Sequence, residues 1–268
     1  MSRPEPRRIR LRYPAACVSC GVVLSPGTEA IWDGAAHTAT CLSCATSLER
    51  GVAGASAGRR YERLHEGRER RVRTRRGRLS GLFLAFSSDP QSTRAWATGS
   101  SGERRLGAYL DSLDDDVSRI VLHDRRIPGT RTNIDHIAIT QGGVFVIDAK
   151  TYTGKVRKID KGSWFSTDVR LYVGRRDRSQ LVRDMARQVE AVRNALGEPA
   201  IAEFAVPVVP VLCFVAVEWP WFARPFQIEG VWIERPESLG RRLRAPGPLA
   251  GEHIRTLARK VAVALPVA

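Results

Sequence analysis

Two aspartates and a lysine hold the densest chemistry in this chain. They lie in the run Asn133-Ile-Asp-His-Ile-Ala-Ile-Thr-Gln-Gly-Gly-Val-Phe-Val-Ile-Asp-Ala-Lys150, which is otherwise mostly apolar. Along a strand, alternate side chains share a face. Asp135 therefore goes with Ile137 and Ile139, and Asp148 and Lys150 go with Val144 and Val146. Phe145, Ile147 and Ala149 make the opposite face apolar too, which marks a central strand buried on both sides. Burying such groups without partners costs on the order of several kcal/mol. Gathering them around a hard divalent cation removes that cost. The expected chemistry is phosphodiester hydrolysis: Asp135 and Asp148, with the Ala149 carbonyl, hold Mg2+ or Mn2+ through oxygens. The ion would polarise a phosphate and lower the pKa of the attacking water. Lys150 would orient that water or stabilise the charge that develops.

The surrounding pattern supplies elements to position these groups. Ser100 and Glu103 form an S-x-x-E capping box at the start of a helix over 101–113, striped by Leu106, Leu110 and Leu113. Strands are expected over 119–124, 133–140 and 144–150, the last two joined through Gln141-Gly142-Gly143. Segments 153–156 and 164–166 would extend the same sheet. Val182, Met185, Val189, Val192 and Leu196 step as a helix over 181–196, with Gln188 inside the stripe. A buried strand over 206–217, a weaker one over 227–233 and a helix over 252–264 complete the region. Glu103 either closes the capping box or turns toward the acids. Gln188 either borders its stripe or serves the same site.

This order of residues resembles the nuclease-related domain (NERD) family of the PD-(D/E)XK nuclease superfamily. The resemblance rests on the Gly102-Glu103 helix, Asn133-Ile-Asp135-His136, Gly143 through Asp148-Ala-Lys150-Thr151, and the Gln188 helix, over roughly residues 99–200. It implies an α/β, restriction-endonuclease-like mixed sheet flanked by helices, and a role in DNA processing. Glu103, Asp135, Asp148, Lys150 and Gln188 fall on the family's motif positions. Asp148 stands where Glu is commoner, and no Asn-Pro precedes the Gln188 helix.

A second constellation lies upstream. Cys17-Val-Ser-Cys20 and Cys41-Leu-Ser-Cys44 are two C-x2-C knuckles, the spacing that brings four thiolates to one structural Zn2+ in a zinc-ribbon-like module. His37 is a substitute donor or simply an exposed residue. Cys213, inside an apolar strand, reads as a small buried side chain.

Composition adds the partner class. Lys and Arg number 43 against 28 acids, a formal charge of +15 that favours polyanions such as nucleic acid, DNA foremost. Between Arg59 and Arg78 stand ten arginines with few apolar residues, read as a solvated linker or a phosphate-riding arm. Three zones follow: a zinc-binding module at 1–50, an Arg-rich linker at 51–98 and a nuclease-like domain at 99–268. No signal peptide or membrane span is evident, so a cytoplasmic protein with no membrane partner is expected. Gly54-Ala-Ser56-Ala-Gly58 matches the G-x-S-x-G elbow but follows no strand. No phosphate-cradling loop follows any strand either. Trp219 and Trp221 would pack on the sheet or stack on bases. The expected function is a metal-dependent nuclease; the alternative is a nuclease-like fold that binds nucleic acid without cleaving it.

Overall fold

A computed structural model describes residues 7–18, 21–34, 36–45, 48–76, 91–164, 166–198, 206–219 and 224–268. Its centre is a sheet built on β8 (Gly143–Lys150), whose residues are buried from Gly143 to Ala149. Antiparallel β7 (Asn133–Thr140) and β6 (Arg119–Arg126) lie on one side of it. Parallel β12 (Val208–Phe214) and β14 (Val231–Glu234) lie on the other, edged by antiparallel β13 (Phe226–Ile228). The order is β13-β14-β12-β8-β7-β6. A parallel pair such as β8 and β12 needs a crossover, and α4 (Ser179–Leu196) lies within it.

Helices cover both faces because β8 is apolar on both. Val144 and Val146 pack with Val182, Met185 and Val192 of α4 and with Ile254, Leu257 and Val261 of α6 (Gly251–Ala264). Phe145, Ile147 and Ala149 pack with Leu106 and Leu110 of α3 (Gln91–Asp111) and with Leu239 and Leu243 of α5 (Pro236–Leu243). Each fully buried aliphatic side chain contributes about 1.5–3 kcal/mol. The result is a mixed α/β, six-stranded sheet flanked by helices, consistent with a restriction-endonuclease-like fold.

The edge strand β6 is covered by segments distant in sequence. The buried Arg125 guanidinium donates to the carbonyls of Glu49, Ala262 and Leu265 at 2.7–2.9 Å. His123 N–H donates to Arg50 O at 2.6 Å, Arg126 N–H to Pro266 O at 2.8 Å, and Ala268 N–H to Asp124 O at 2.9 Å.

Two smaller units flank the core. Near the N-terminus β1 (Arg7–Arg10), β4 (Glu29–Asp33) and β5 (Thr38–Cys41) form one sheet, and β2 (Ala15–Ala16) pairs with β3 (Val23–Leu24). Helix α1 (Leu42–Ala45) follows. Then α2 (Ala55–Arg76), carrying the arginine-dense stretch, packs along α3.

Three local expectations change. Helix α3 begins at Gln91, not near 101, so Ser100 lies inside it and caps nothing. Its buried hydroxyl bonds to the Gly54 carbonyl at 3.3 Å instead, a tertiary contact that a local pattern cannot reveal. The segments after Lys150 do not extend the main sheet. β9 (Val156–Asp160), β10 (Val169–Val173) and β11 (Arg176–Asp177) form a separate three-stranded sheet. And the weak strand near 227–233 is a hairpin, β13 and β14.

Candidate active site

The register aligns three aspartates across the sheet. His136 pairs with Ile147, so one step further Asp135 faces Asp148. His123 pairs with His136 and Arg125 with Ile134, so Asp124 falls opposite Asp135. Asp135 is fixed by the Ala149 N–H, which donates to its Oδ2 at 2.9 Å. Burial, then the charges of Asp148 and Glu103, push its pKa well above the usual carboxylate range. The Lys150 ammonium pairs with Asp148 Oδ1. Burial opposes its charge, but Asp148 and Asp135 outweigh burial and hold Lys150 protonated.

Glu103 comes from the other side, on α3. Its approach depends on Gly102, where an added Cβ would overlap the Thr151 hydroxyl just past Lys150. Burial, then repulsion from Asp124 and Asp148, raises its carboxyl to about 7, with Lys150 and Arg104 acting in the opposite direction. We expect Gly102→Ala to lift α3 and cost about 1–3 kcal/mol by overpacking. Thr151→Ala should restore most of that in a denaturant double-mutant cycle. Additive effects would show that the two residues do not press on each other.

Asp124 escaped the sequence reading. It takes φ 50°, in the left-handed region rare outside glycine, and is buried. Its carboxylate receives Ser56 N–H and Ser56 Oγ–H, each at 2.6 Å, and Asn133 Nδ2 at 3.2 Å. It thus caps the first turn of α2 from another strand, a placement the helix N-terminus favours. Ser56, the centre of the discarded elbow pattern, serves this cap. A buried histidine pair was also missed. His123 Nδ1 and His136 Nδ1 lie 2.8 Å apart, and His123 Nε2 meets Asp111 Oδ1 at 2.8 Å. Burial, then His123, pushes His136 well below the ordinary imidazole pKa, and its buried Nε2 has no hydrogen-bond partner. The β6–β7 register is the signal that would have found the histidine pair, since His123 faces His136 across those strands.

The predicted residues are therefore only partly gathered. Asp135, Asp148 and Lys150 meet directly, and Glu103 lies within range of their charges. Gln188 is buried on the sheet-facing stripe of α4, and its Oε1 has no hydrogen-bond partner. Among the described residues no three acidic side chains bring one oxygen each within 4.8 Å of one another; Cys17, Cys41 and Cys44 do so with their sulfurs, and all three are buried. Cys41 N–H donates to Cys17 Sγ at 3.3 Å. Cys20 and Trp221 lie outside the described residues. His37 is exposed, and Trp219 packs edge-on against Phe226.

The two facing carboxyls test the fit of a cation. Asp148 is buried and Asp135 half-buried, and two carboxyl groups side by side favour positive charge beside them, of which Lys150 supplies one. An all-oxygen donor set suits Mg2+ or Mn2+ rather than a soft metal.

The fold is thus a helix-flanked mixed sheet with an acid–lysine cluster at the carboxyl end of its central strand. Residues 98–215 match the family model of NERD, the nuclease-related domain. That stretch contains Glu103, Asp124, Asp135, Asp148, Lys150 and Gln188, and ends just past β12. Searches of curated proteins and of solved structures each returned no match. No helix of the described residues is long and apolar enough to cross a membrane.

Proposed function

We propose that the chain is a divalent-metal-dependent nuclease that hydrolyses phosphodiester bonds, with DNA as its substrate. The observation that carries this reading is the facing Asp135–Asp148 pair with the Lys150 ammonium against it. Asp135 and Asp148 would hold Mg2+ or Mn2+. When bound, the ion supplies positive charge at the scissile phosphate and a lower pKa for water. The chain's own groups do the rest. Lys150, kept protonated by both acids, stabilises the extra negative charge on the phosphorus oxygens. Glu103, raised to about 7, is poised to accept a proton from the attacking water at neutral pH. Asp135 keeps its orientation through the Ala149 N–H. The nuclease-related match over 98–215 and the +15 charge support a nucleic-acid substrate. Incubating the purified chain with Mg2+ or Mn2+ and supercoiled, linear or single-stranded DNA, or RNA, tests the proposal. Cleavage that stops in EDTA is expected. Retarded mobility without cleavage would leave a binder in place of an enzyme.

The cysteine trio supports a structural Zn2+ site that Cys20 would complete. A reducing, cytoplasmic setting fits such thiolates. Elemental analysis of purified protein should find about one zinc per chain, falling to near zero in Cys41→Ser. A metal-free wild type would remove this assignment.

A further inference from the structure

Four tryptophan side chains are described, and three of them are covered. Trp219 lies against Phe226, Trp32 against His37, and Trp232 under the Arg242 guanidinium at 3.5 Å. Trp164 is 99% exposed. It stands at the tip of the β9–β10 hairpin, whose first strand begins at Val156, six residues after Lys150 at the carboxyl end of β8.

That tip is a built structure. Asp160 Oδ1 accepts from Gly162 N–H at 2.8 Å and from Asp168 N–H at 2.9 Å. Lys161 N–H donates to Asp168 O at 2.8 Å. Beyond this, Ser163 and Ser166 bridge, with their hydroxyls 3.0 Å apart. Gly162 is required, because a Cβ there would overlap the Ser166 carbonyl. At its base the hairpin is anchored by Val156, Leu171 and Val173 in the main core. These contacts order the described backbone around Trp164, whose indole stands in solvent.

The surroundings are cationic. Residues 155–178 carry eight Lys and Arg against three acids. Lys155, Arg157, Lys158, Lys161, Arg175 and Arg176 are all exposed. A flat aromatic face displayed on a basic, phosphate-attracting hairpin matches what single-stranded nucleic acid offers: bases that stack and a backbone that is negative. From Val156 to Trp164 the strand reaches no more than about 26 Å at about 3.3 Å per residue.

We infer that Trp164 is a stacking platform for an unpaired base, held several nucleotides from the acid–lysine cluster by the β9–β10 hairpin. The inference rests on the nuclease reading for its ligand class. Its own content is the place and mode of contact.

The test uses the full chain without added Mg2+ or Mn2+, which prevents cleavage and leaves the proposed zinc of the cysteines in place. Binding is measured by fluorescence anisotropy with a labelled oligo(dT), an abasic oligomer of equal length, and a blunt duplex. Trp164→Ala should weaken oligo(dT) binding roughly tenfold or more, while Trp164→Phe keeps most of it. Binding to the abasic oligomer, which has the charge but no bases, should stay within about twofold. Equal losses on both single strands would overturn the stacking role, as would unchanged oligo(dT) binding in Trp164→Ala, the result expected if the indole docks a protein. If the wild type binds none of the three at any salt, the nucleic-acid reading itself fails, and the stacking inference with it.

Discussion

Asp148→Ala and Lys150→Ala should each slow DNA cleavage by roughly 10²–10³ or more, the usual loss when one preorganised charge-stabilising group is removed. Asp148 faces Asp135 and pairs with Lys150, so its loss removes one side of the cation site and frees the ammonium. Loss of Lys150 leaves the carboxyls in place but removes the positive charge opposed to them. Binding of an uncleaved duplex should change far less, because many cations share it. Circular dichroism would verify that each variant folds. Cleavage that survives in both variants would mean that the activity belongs to another site or a contaminant, and the proposed mechanism would be wrong.

Metal binding should also be visible as stability, with a definite pH dependence. Asp135 and Glu103 have carboxyl pKa values raised in the folded state above their ordinary 3.8 and 4.5. Acids of this kind favour the fold while protonated. Their contribution is full below the unfolded values and is lost as pH rises through the folded ones, about 7 for Glu103. The metal-free protein should therefore melt lower at pH 8 than at pH 6. Mg2+ compensates ionised carboxylates, so its stabilisation should be larger at pH 8. At about a hundredfold over Kd the gain is about 2.7 kcal/mol, or about 5–10 °C for a chain of this size. The double variant Asp135→Asn, Asp148→Asn should melt higher than wild type in EDTA and show no Mg2+ shift. An Mg2+ shift retained by that variant would place the ion elsewhere.

How much of this was legible in the sequence depended on how local each signal was. Period-two alternation identified β7 and β8 and put Asp135, Asp148 and Lys150 at one end of them, because a one-residue error in register would expose a whole apolar face. The stripe from Val182 to Leu196 likewise gave α4 nearly to the residue. What failed was non-local. The Ser100-x-x-Glu103 pattern looked like a cap, yet the hydroxyl is used by Gly54, 46 residues away. Asp124 looked like the end of a strand; its role comes from a left-handed backbone and from Ser56, 68 residues upstream. Helix α5 was missed because Pro236 and Gly240 obscure its short stripe of Leu239 and Leu243. The separate β9–β11 sheet follows from how its apolar face meets α4, and no window of sequence contains that contact.

The clamp around Arg125 bears on how the molecule avoids association. An outermost strand offers a row of unsatisfied amides and carbonyls to any passing chain, and proteins commonly blunt it with charges or a short length. Here β6 is sealed from within by its own polypeptide: Arg50 takes the His123 amide, Pro266 takes that of Arg126, and the Asp124 carbonyl receives Ala268. At the opposite rim β13 is only three residues long. Neither border is left as a template for self-templated aggregation, so shortening the chain by its last few residues would unmask a sticky rim as well as weaken a contact.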